Sequence, residues 1–252
     1  MGRKAIGIDI GGTGIKGALV DVRKGELVSE RVKYPTPPGG RPADIADVVA
    51  TIISEVGGGR HGIPVGICFP AVVQHGRTMS AANVSKEWIG FDADDHFERI
   101  LGRHVHVLND ADAAGVAEMK FGAGRKRKGL TMMTTLGTGI GTAIFIDGRL
   151  VPNAELGHLE IDGIDYETKA SFAAKEREEL DWTAWAERLQ KYYATLERLF
   201  SPDLFIVGGG VSKNHQEFLP KLQLRAEIVP AQKRNNAGIL GAAWVAADKH
   251  EG

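Results

Sequence analysis

The spacing of apolar and polar positions along the chain switches between two periods, and the switches predict its elements. Residues 4–10 (KAIGIDI) and 15–22 (IKGALVDV) are strand-like runs joined by a glycine turn. A third run over residues 26–33 follows the turn at Gly25, so the N-terminal region predicts a three-stranded meander. The stretch YPTPPGGRP is a loop by composition, and helical spacing over residues 43–56 stops at Gly57, Gly58 and Gly59. Then come a strand over 63–69, a hairpin through 74–77, a short helix over 94–101, a strand over 104–108 and a helix over 109–121. A basic turn, GAGRKRKG, leads to a second strand-rich block over 130–146. Helices over 169–180 and 182–200, a strand over 203–207 and a closing helix over 238–248 complete the series. Strands and helices mixed in this way predict an α/β protein. The spacing places a lobe boundary near Asp110, giving lobes over 1–109 and 110–237, with the terminal segment 238–252 returning to the first lobe.

The second strand block repeats the first. GTGI at residues 12–15 recurs at 137–140, and Ala18 is matched by Ala143. Four residues can match by chance in a glycine-rich sequence, but both copies sit between two strand-like runs, and that shared context favours internal duplication.

Composition narrows the class without naming a ligand. With 43% hydrophobic and 25% charged residues, the chain has enough apolar material for two cores and is neither disordered nor fibrous. The formal net charge of -1 supplies no global attraction to nucleic acid or anionic lipid, so a polyanion would have to be held by local basic clusters. Cys68 is the single cysteine; it lies in an apolar run, which predicts a buried inert thiol and no internal disulfide. No apolar stretch is long enough to span a bilayer, and a strand pattern begins by Lys4, so a cytoplasmic location without membrane contact is expected.

Within this frame a few residues carry candidate chemistry. Glycine turns between strands let backbone N–H groups approach a phosphate with no Cβ in the way. In the first turn Gly11, Gly12, Thr13 and Gly14 are followed by Lys16 and preceded by Asp9, the acid best placed to serve Mg²⁺ through water; in the second, Thr138 lies between Gly137 and Gly139. Either turn alone also reads as a plain hairpin that needs glycine for positive φ. Gly208, Gly209 and Gly210 form a third glycine group after a strand, equally consistent with a ligand loop or with a tight strand-to-helix turn. Asn109 and Asp110 stand where a strand meets a helix, so capping explains them as simply as a carboxylate aimed at a substrate hydroxyl. Asp112 reads as solvent-facing or capping. Glu155, His158 and Glu160 form a polar cluster with directional acceptors and a donor, suited to sugar hydroxyls or equally to a plain polar surface, and too small for a zinc site. Asn83 is a turn residue or a hydroxyl binder. Two basic clusters, residues 125–128 and the pair Lys233 and Arg234, are either solvated faces or a track for a long polyanion.

Together these motifs resemble the ROK family of sugar kinases and repressors. DIGGTGIKGALVD resembles its first phosphate motif, LGTGIGTAIFIDG the second, IVGGGVS the adenosine motif, NDADAA the catalytic segment and ELGH the sugar-binding E-x-G-H. The resemblance implies a two-lobed actin-like ATPase fold, ribonuclease H-like and hexokinase-type, with a central cleft. It also implies Asp110 as general base, Glu155, His158, Asn83 and Asn109 on the sugar, Mg²⁺, and a homodimer. A cysteine-rich zinc motif that many members carry after E-x-G-H is absent, and GHLEIDGIDYETKAS and AANVSKEWIG instead resemble the actinobacterial branch that uses polyphosphate. That branch makes Glu167 a third sugar carboxylate. It implies transfer from polyphosphate, ATP or both to the 6-hydroxyl of glucose or mannose. The alternatives are a strictly ATP-dependent kinase and a non-catalytic nucleotide-dependent binding protein. The early strand leaves no place for the DNA-binding motif of the repressor branch, so no nucleic-acid partner is expected.

Overall fold

A computed structural model describes residues 3–57 and 62–250. Gly58 and Gly59 of the expected helix end, and the final two residues of the expected closing segment, lie outside the described residues. The chain divides into two compact units, Met1–Ala117 with Asn236–Gly252, and Glu118–Asn235. The division thus falls at Glu118 rather than at Asp110.

The first unit opens with the expected hairpin: β1 (Lys4–Ile10) pairs antiparallel with β2 (Gly14–Asp21). The third run differs from the expected single strand. It splits into β3 (Glu26–Leu27) and β4 (Val32–Pro35), which pair with opposite ends of β2. Polar Ser29 causes the break, because its hydroxyl leaves the ladder to accept the Leu19 N–H at 3.0 Å. Helix α1 (Pro42–Glu55) begins with proline at its first turn, where a missing N–H costs nothing, and buries Ile45, Val49, Ile52 and Ile53. Strand β5 (Val65–Phe69) is buried at every position, as a parallel strand covered on both faces must be. A small sheet of β6 (Val73–Gln74), β7 (Arg77–Thr78) and β8 (Phe91–Asp92) precedes α2 (Ala93–Leu101), and β9 (Val105–Asn109) runs directly into α3 (Asp110–Phe121). The main sheet has the order β3-β2-β1-β5-β9, with β1, β5 and β9 parallel.

In the second unit, β10 (Leu130–Leu136) and β11 (Ile140–Ile146) repeat the opening hairpin, and β12 (Arg149–Val151) extends it. A two-stranded ribbon, β13 (Glu160–Ile161) and β14 (Ile164–Asp165), follows. The helix expected over 169–180 is two helices, α4 (Glu167–Ala170) and α5 (Phe172–Arg177). Ser171 breaks them by adopting an extended backbone and capping the Ala174 N–H. The long α6 (Trp182–Phe200) is capped by Asp181 and buries Trp185, Leu189, Tyr192, Tyr193 and Leu196 on one face. Strand β15 (Leu204–Gly208), α7 (His215–Phe218) and β16 (Glu227–Pro230) complete a sheet ordered β12-β11-β10-β15-β16, in which β10, β15 and β16 are parallel. Each main sheet therefore carries an antiparallel meander on one side of its central strand and two parallel strands on the other. The GTGI repeat marks duplicated topology, with Ile15 opposite Ile10 and Ile140 opposite Leu136.

The last helix, α8 (Ala237–Lys249), packs in the first unit. At two points it lies directly on backbone: a methyl on Gly7 would overlap the carbonyl of Ile239, and one on Gly66 the carbonyl of Ala242. Gly7 and Gly66 are partners across β1 and β5, so together they form a smooth floor for the helix. On α8 itself, Gly241 meets the carbonyl of Ala113 in α3, which keeps the first turns of α3 in this unit. The α/β class expected from the sequence is the class observed.

Candidate functional site

In the first unit the candidate residues gather at the C-terminal ends of the parallel strands. Asp9 is the register partner of Cys68, and Cys68 of Leu108, so the next residues of β9 and α3, Asn109 and Asp110, fall at the same edge. The buried Cys68 thiol reports this convergence. Burial pushes its pKa well above the ordinary value, and the nearby carboxylates of Asp9 and Asp110 push it further. A thiol held protonated in this way is the inert one expected.

Around that edge each side chain is positioned by a nameable contact. Asp9 Oδ2 receives Lys16 Nζ at 3.0 Å, and Gly238 leaves room for it, since a methyl there would stand 2.8 Å from the same oxygen. Asn109 is buried and spends most of its amide on structure. Its Oδ1 accepts the N–H groups of Ala111 at 2.8 Å and Asp112 at 3.1 Å, and its Nδ2 donates to the Ala71 carbonyl at 3.1 Å. Capping therefore accounts for Asn109, with one amide N–H left over. Asp110, by contrast, is exposed at the helix start, with Oδ1 accepting from Ala111 N–H at 2.8 Å. Asp112 corrects an expectation: it is 1% exposed rather than solvent-facing, because two residues of helix turn it about 200° from Asp110.

The first glycine turn, residues 11–14, joins β1 to β2 between Asp9 and Lys16. None of its glycines adopts positive φ, so the plain-hairpin explanation fails and the need for glycine is steric. A methyl on Gly12 would stand 2.9 Å from Asn83 Cβ, and one on Gly14 would stand 2.8 Å from Lys33 Cε. Asn83 is exposed beside the turn. The turn is closed by the Gly11 N–H to Gly14 carbonyl bond at 3.0 Å and held by Thr36, whose hydroxyl donates to the Gly11 carbonyl. Thr36 belongs to the YPTPP loop, which thus buttresses the turn, and Lys33 adds a second ammonium beside it. Neither was evident from spacing, because the pairing of β4 with β2 that brings Lys33 opposite Lys16 is a tertiary fact.

In the second unit three motifs meet. The turn 137–139 closes through the Gly137 N–H to Gly139 carbonyl bond at 3.0 Å, and Glu167 Oε2 accepts the Ile140 N–H at 2.6 Å. A methyl on Gly139 would lie 2.9 Å from Glu167 Cδ. Glu167 therefore anchors the turn through Oε2. Gly209 has φ 82° and fits against Leu136 at the end of β10, where a methyl would stand 2.6 Å from the Leu136 nitrogen. The E-x-G-H segment is pinned to β11 by Thr142, whose hydroxyl donates to the Ala154 carbonyl and accepts the Leu156 N–H at 2.9 Å. Glu155 is raised above the ordinary carboxylate value by partial burial, with His158 opposing and Glu167 adding, so the three groups share one field.

His158 has a partner that spacing alone does not reveal. Its Nδ1 is 2.8 Å from Asp165 Oδ2, and this bond holds its pKa above 6.5 against the opposing effect of burial. The only sequence cue is the Asp-Gly turn of the following ribbon, which folds Asp165 back toward His158. Asp165→Asn is expected to lower the His158 pKa, so that the imidazolium fraction at neutral pH falls; an NMR titration of the ring protons measures it, and an unshifted curve contradicts the pairing.

Among the described residues no group of three His, Cys, Asp or Glu side chains could cage a metal. The Asp9 carboxylate is chemically suited to Mg²⁺, a cation commonly held by one or two carboxylates together with substrate phosphates, and would serve it through water. A cavity of about 420 Å³ at the opposite edge of the first unit is lined by Glu98, Arg103, His104 and His250 and contains none of the candidate residues. Among the described residues no helix is long and apolar enough to cross a membrane.

Comparisons with known proteins converge on one family. Residues 5–178 match the ROK family model. The chain is 43% identical over 242 residues to the polyphosphate glucokinase of Mycobacterium tuberculosis, covering 96% of this chain and 90% of that one. Among solved structures it is similar to the inorganic polyphosphate/ATP-glucomannokinase of Arthrobacter sp. strain KM, with TM-score 0.91, 54% identity and coverage of 98% and 100% of the two chains. It also resembles a ROK family glucokinase from Streptomyces griseus in complex with glucose and AMPPNP, with TM-score 0.82, 28% identity and coverage of 97% and 99%. Its fold is the α/β, actin-like ATPase fold of these sugar kinases. On the strength of the family match and of these relatives over nearly its whole length, the chain belongs to the ROK family.

Proposed function

We propose that the protein is a hexokinase that transfers a phosphoryl group from inorganic polyphosphate or ATP to the 6-hydroxyl of glucose, with mannose as a second acceptor. The observation that carries this reading is the edge at which Asp110 is exposed at the end of a parallel strand, in the same unit as a glycine turn flanked by Asp9, Lys16 and Asn83. A carboxylate beside a phosphate-sized cradle is what a hydroxyl needs in order to lose its proton as it attacks phosphorus.

Each unit contributes separately. In the first, Asp110 accepts the proton, Asn83 and the remaining amide N–H of Asn109 contact the sugar, and the backbone N–H groups of residues 11–14 with Lys16 hold phosphate oxygens. In the second, Glu155, His158 and Glu167 accept from and donate to sugar hydroxyls, while Gly137, Thr138 and Gly139 hold phosphate and Gly208, Gly209 and Gly210 border the adenosine of ATP. Mg²⁺, when bound near Asp9, neutralises charge on the transferred group. Phosphoryl transfer demands positioning and charge stabilisation more than covalent chemistry, which suits a site built from backbone amides and one base.

The names of the polyphosphate-using relatives support the donor reading. Purified protein with glucose is expected to form glucose 6-phosphate from long-chain polyphosphate and from ATP. Product from ATP alone would leave a strictly ATP-dependent glucokinase, and nucleotide binding without any product would leave a non-catalytic nucleotide-binding protein. By the same family membership we propose a cytoplasmic homodimer, which light scattering after size exclusion tests.

A further inference from the structure

Glu118 lies in the last turn of α3, where a helical acid ordinarily faces water, yet it is 0% exposed. A buried carboxylate is costly unless backbone or cationic donors satisfy it. Here they are backbone donors from two separate segments of the second unit. Oε2 accepts the Ala123 N–H at 2.8 Å, and Oε1 accepts the N–H groups of Gln232 at 2.9 Å and Lys233 at 2.6 Å. The first segment leads directly into Arg125, Lys126, Arg127 and Lys128, all exposed, and the second carries Lys233 and Arg234. Gly122 is required beside them, since a methyl there would stand 2.7 Å from Glu118 Cδ. A further tie joins the same regions: Arg127 Nη2 meets Glu227 Oε1 at 2.7 Å, on the strand that precedes the second segment.

The two basic clusters are thus adjacent in space, fixed from below by one buried acid. Holding like charges side by side is unfavourable for the isolated protein, and a solvated surface turn needs no such anchor. The arrangement makes sense if an anion longer than one segment lies over both. We propose that Glu118 is a positioning residue that holds residues 125–128 and 233–234 together as one docking track for a linear polyphosphate chain, apart from the glycine turns that hold the reacting phosphates. This rests on the polyphosphate reading above, and it adds a second binding region that ATP is too short to need.

The test compares KM for long-chain polyphosphate with KM for ATP, at fixed glucose and several salt concentrations. Replacing Arg125, Lys126, Arg127 and Lys128 together by Gln is expected to raise the polyphosphate-to-ATP KM ratio at least about tenfold and to flatten the salt dependence of the polyphosphate KM, because fewer phosphates are neutralised. Lys233→Gln with Arg234→Gln should shift the ratio in the same direction. Glu118→Gln keeps the shape but presents an amide N–H₂ to one set of backbone donors, so it should raise the ratio as well. In the Lys233→Gln, Arg234→Gln background it should add little, since the segment it aligns is already neutral. A merely structural role for Glu118 would move both donors equally and would be additive with the charge changes; that result overturns the proposal. Should Glu118→Gln fail to fold, the two charge variants decide alone: equal changes for both donors make the clusters solvated surface. If the unaltered protein makes no product from polyphosphate, the donor reading fails first, an outcome distinct from a track that fails while polyphosphate is still used.

Discussion

Asp110→Asn is expected to lower kcat for glucose phosphorylation by about 10²–10⁴, the usual worth of a general base, while KM for glucose changes little. The substitution isolates the chemistry because it preserves the local architecture. An asparagine Oδ1 can still accept the Ala111 N–H that Asp110 Oδ1 accepts at 2.8 Å, and Asn109 continues to cap the helix through Ala111 and Asp112. What is lost is the capacity to take a proton. The same fall should appear with polyphosphate and with ATP, since a base that acts on the sugar is indifferent to the donor. Steady-state assays with each donor check this, and near-normal turnover with either would remove Asp110 from the role.

Gly66→Ala should produce the largest loss of stability, at least about 3 kcal/mol, the upper end of what overpacking costs. Its methyl would overlap the Ala242 carbonyl, a backbone group that cannot rotate away as a side-chain tip could. Helix α8 would have to lift from β1 and β5, exposing Ile239, Ala242, Ala243 and Ala246, which are now buried. The effect should be regional. Hydrogen exchange in peptides covering β1 and β5 should accelerate, while β10 and β15, which belong to the other compact unit, keep their protection. Unchanged protection in β1 and β5 would mean that the contact between helix and sheet is looser than described.

Much of this arrangement was legible in the chain. The opening hairpins β1–β2 and β10–β11 announce themselves because strong apolar runs flank glycine turns, and the GTGI repeat points to a duplicated topology that the two sheets display. The edges were not. β16 has only four residues and ends in proline, and the ribbon of β13 and β14 pairs two residues on each side, lengths at which periodicity carries no signal. The third run of the first hairpin looked continuous because hydropathy cannot show that Ser29 bonds away from the ladder. At the site, residue types were readable but partnerships were not. Nothing in the spacing says that Asp165 holds His158, that Lys33 lies beside Gly14, or that Glu118 faces inward, because each depends on how strands pair or segments pack and not on periodicity. Asp112 was misread for the same reason: an acid in a first helical turn ordinarily faces water, and only the packing of α3 shows otherwise.

The return of residues 236–252 to the unit begun by residues 1–117 also bears on how the protein is made. At ~5–20 residues per second, the opening sheet leaves the ribosome roughly 5–25 s before the helix that closes over Gly7 and Gly66 exists. During that interval its glycine floor is uncovered, while the intervening unit, continuous in the chain, can mature first. A nascent chain halted just before Asn236 should thus expose its amino-terminal half to chaperones and proteases and shelter the portion translated later, the reverse of the usual order from first-made to last.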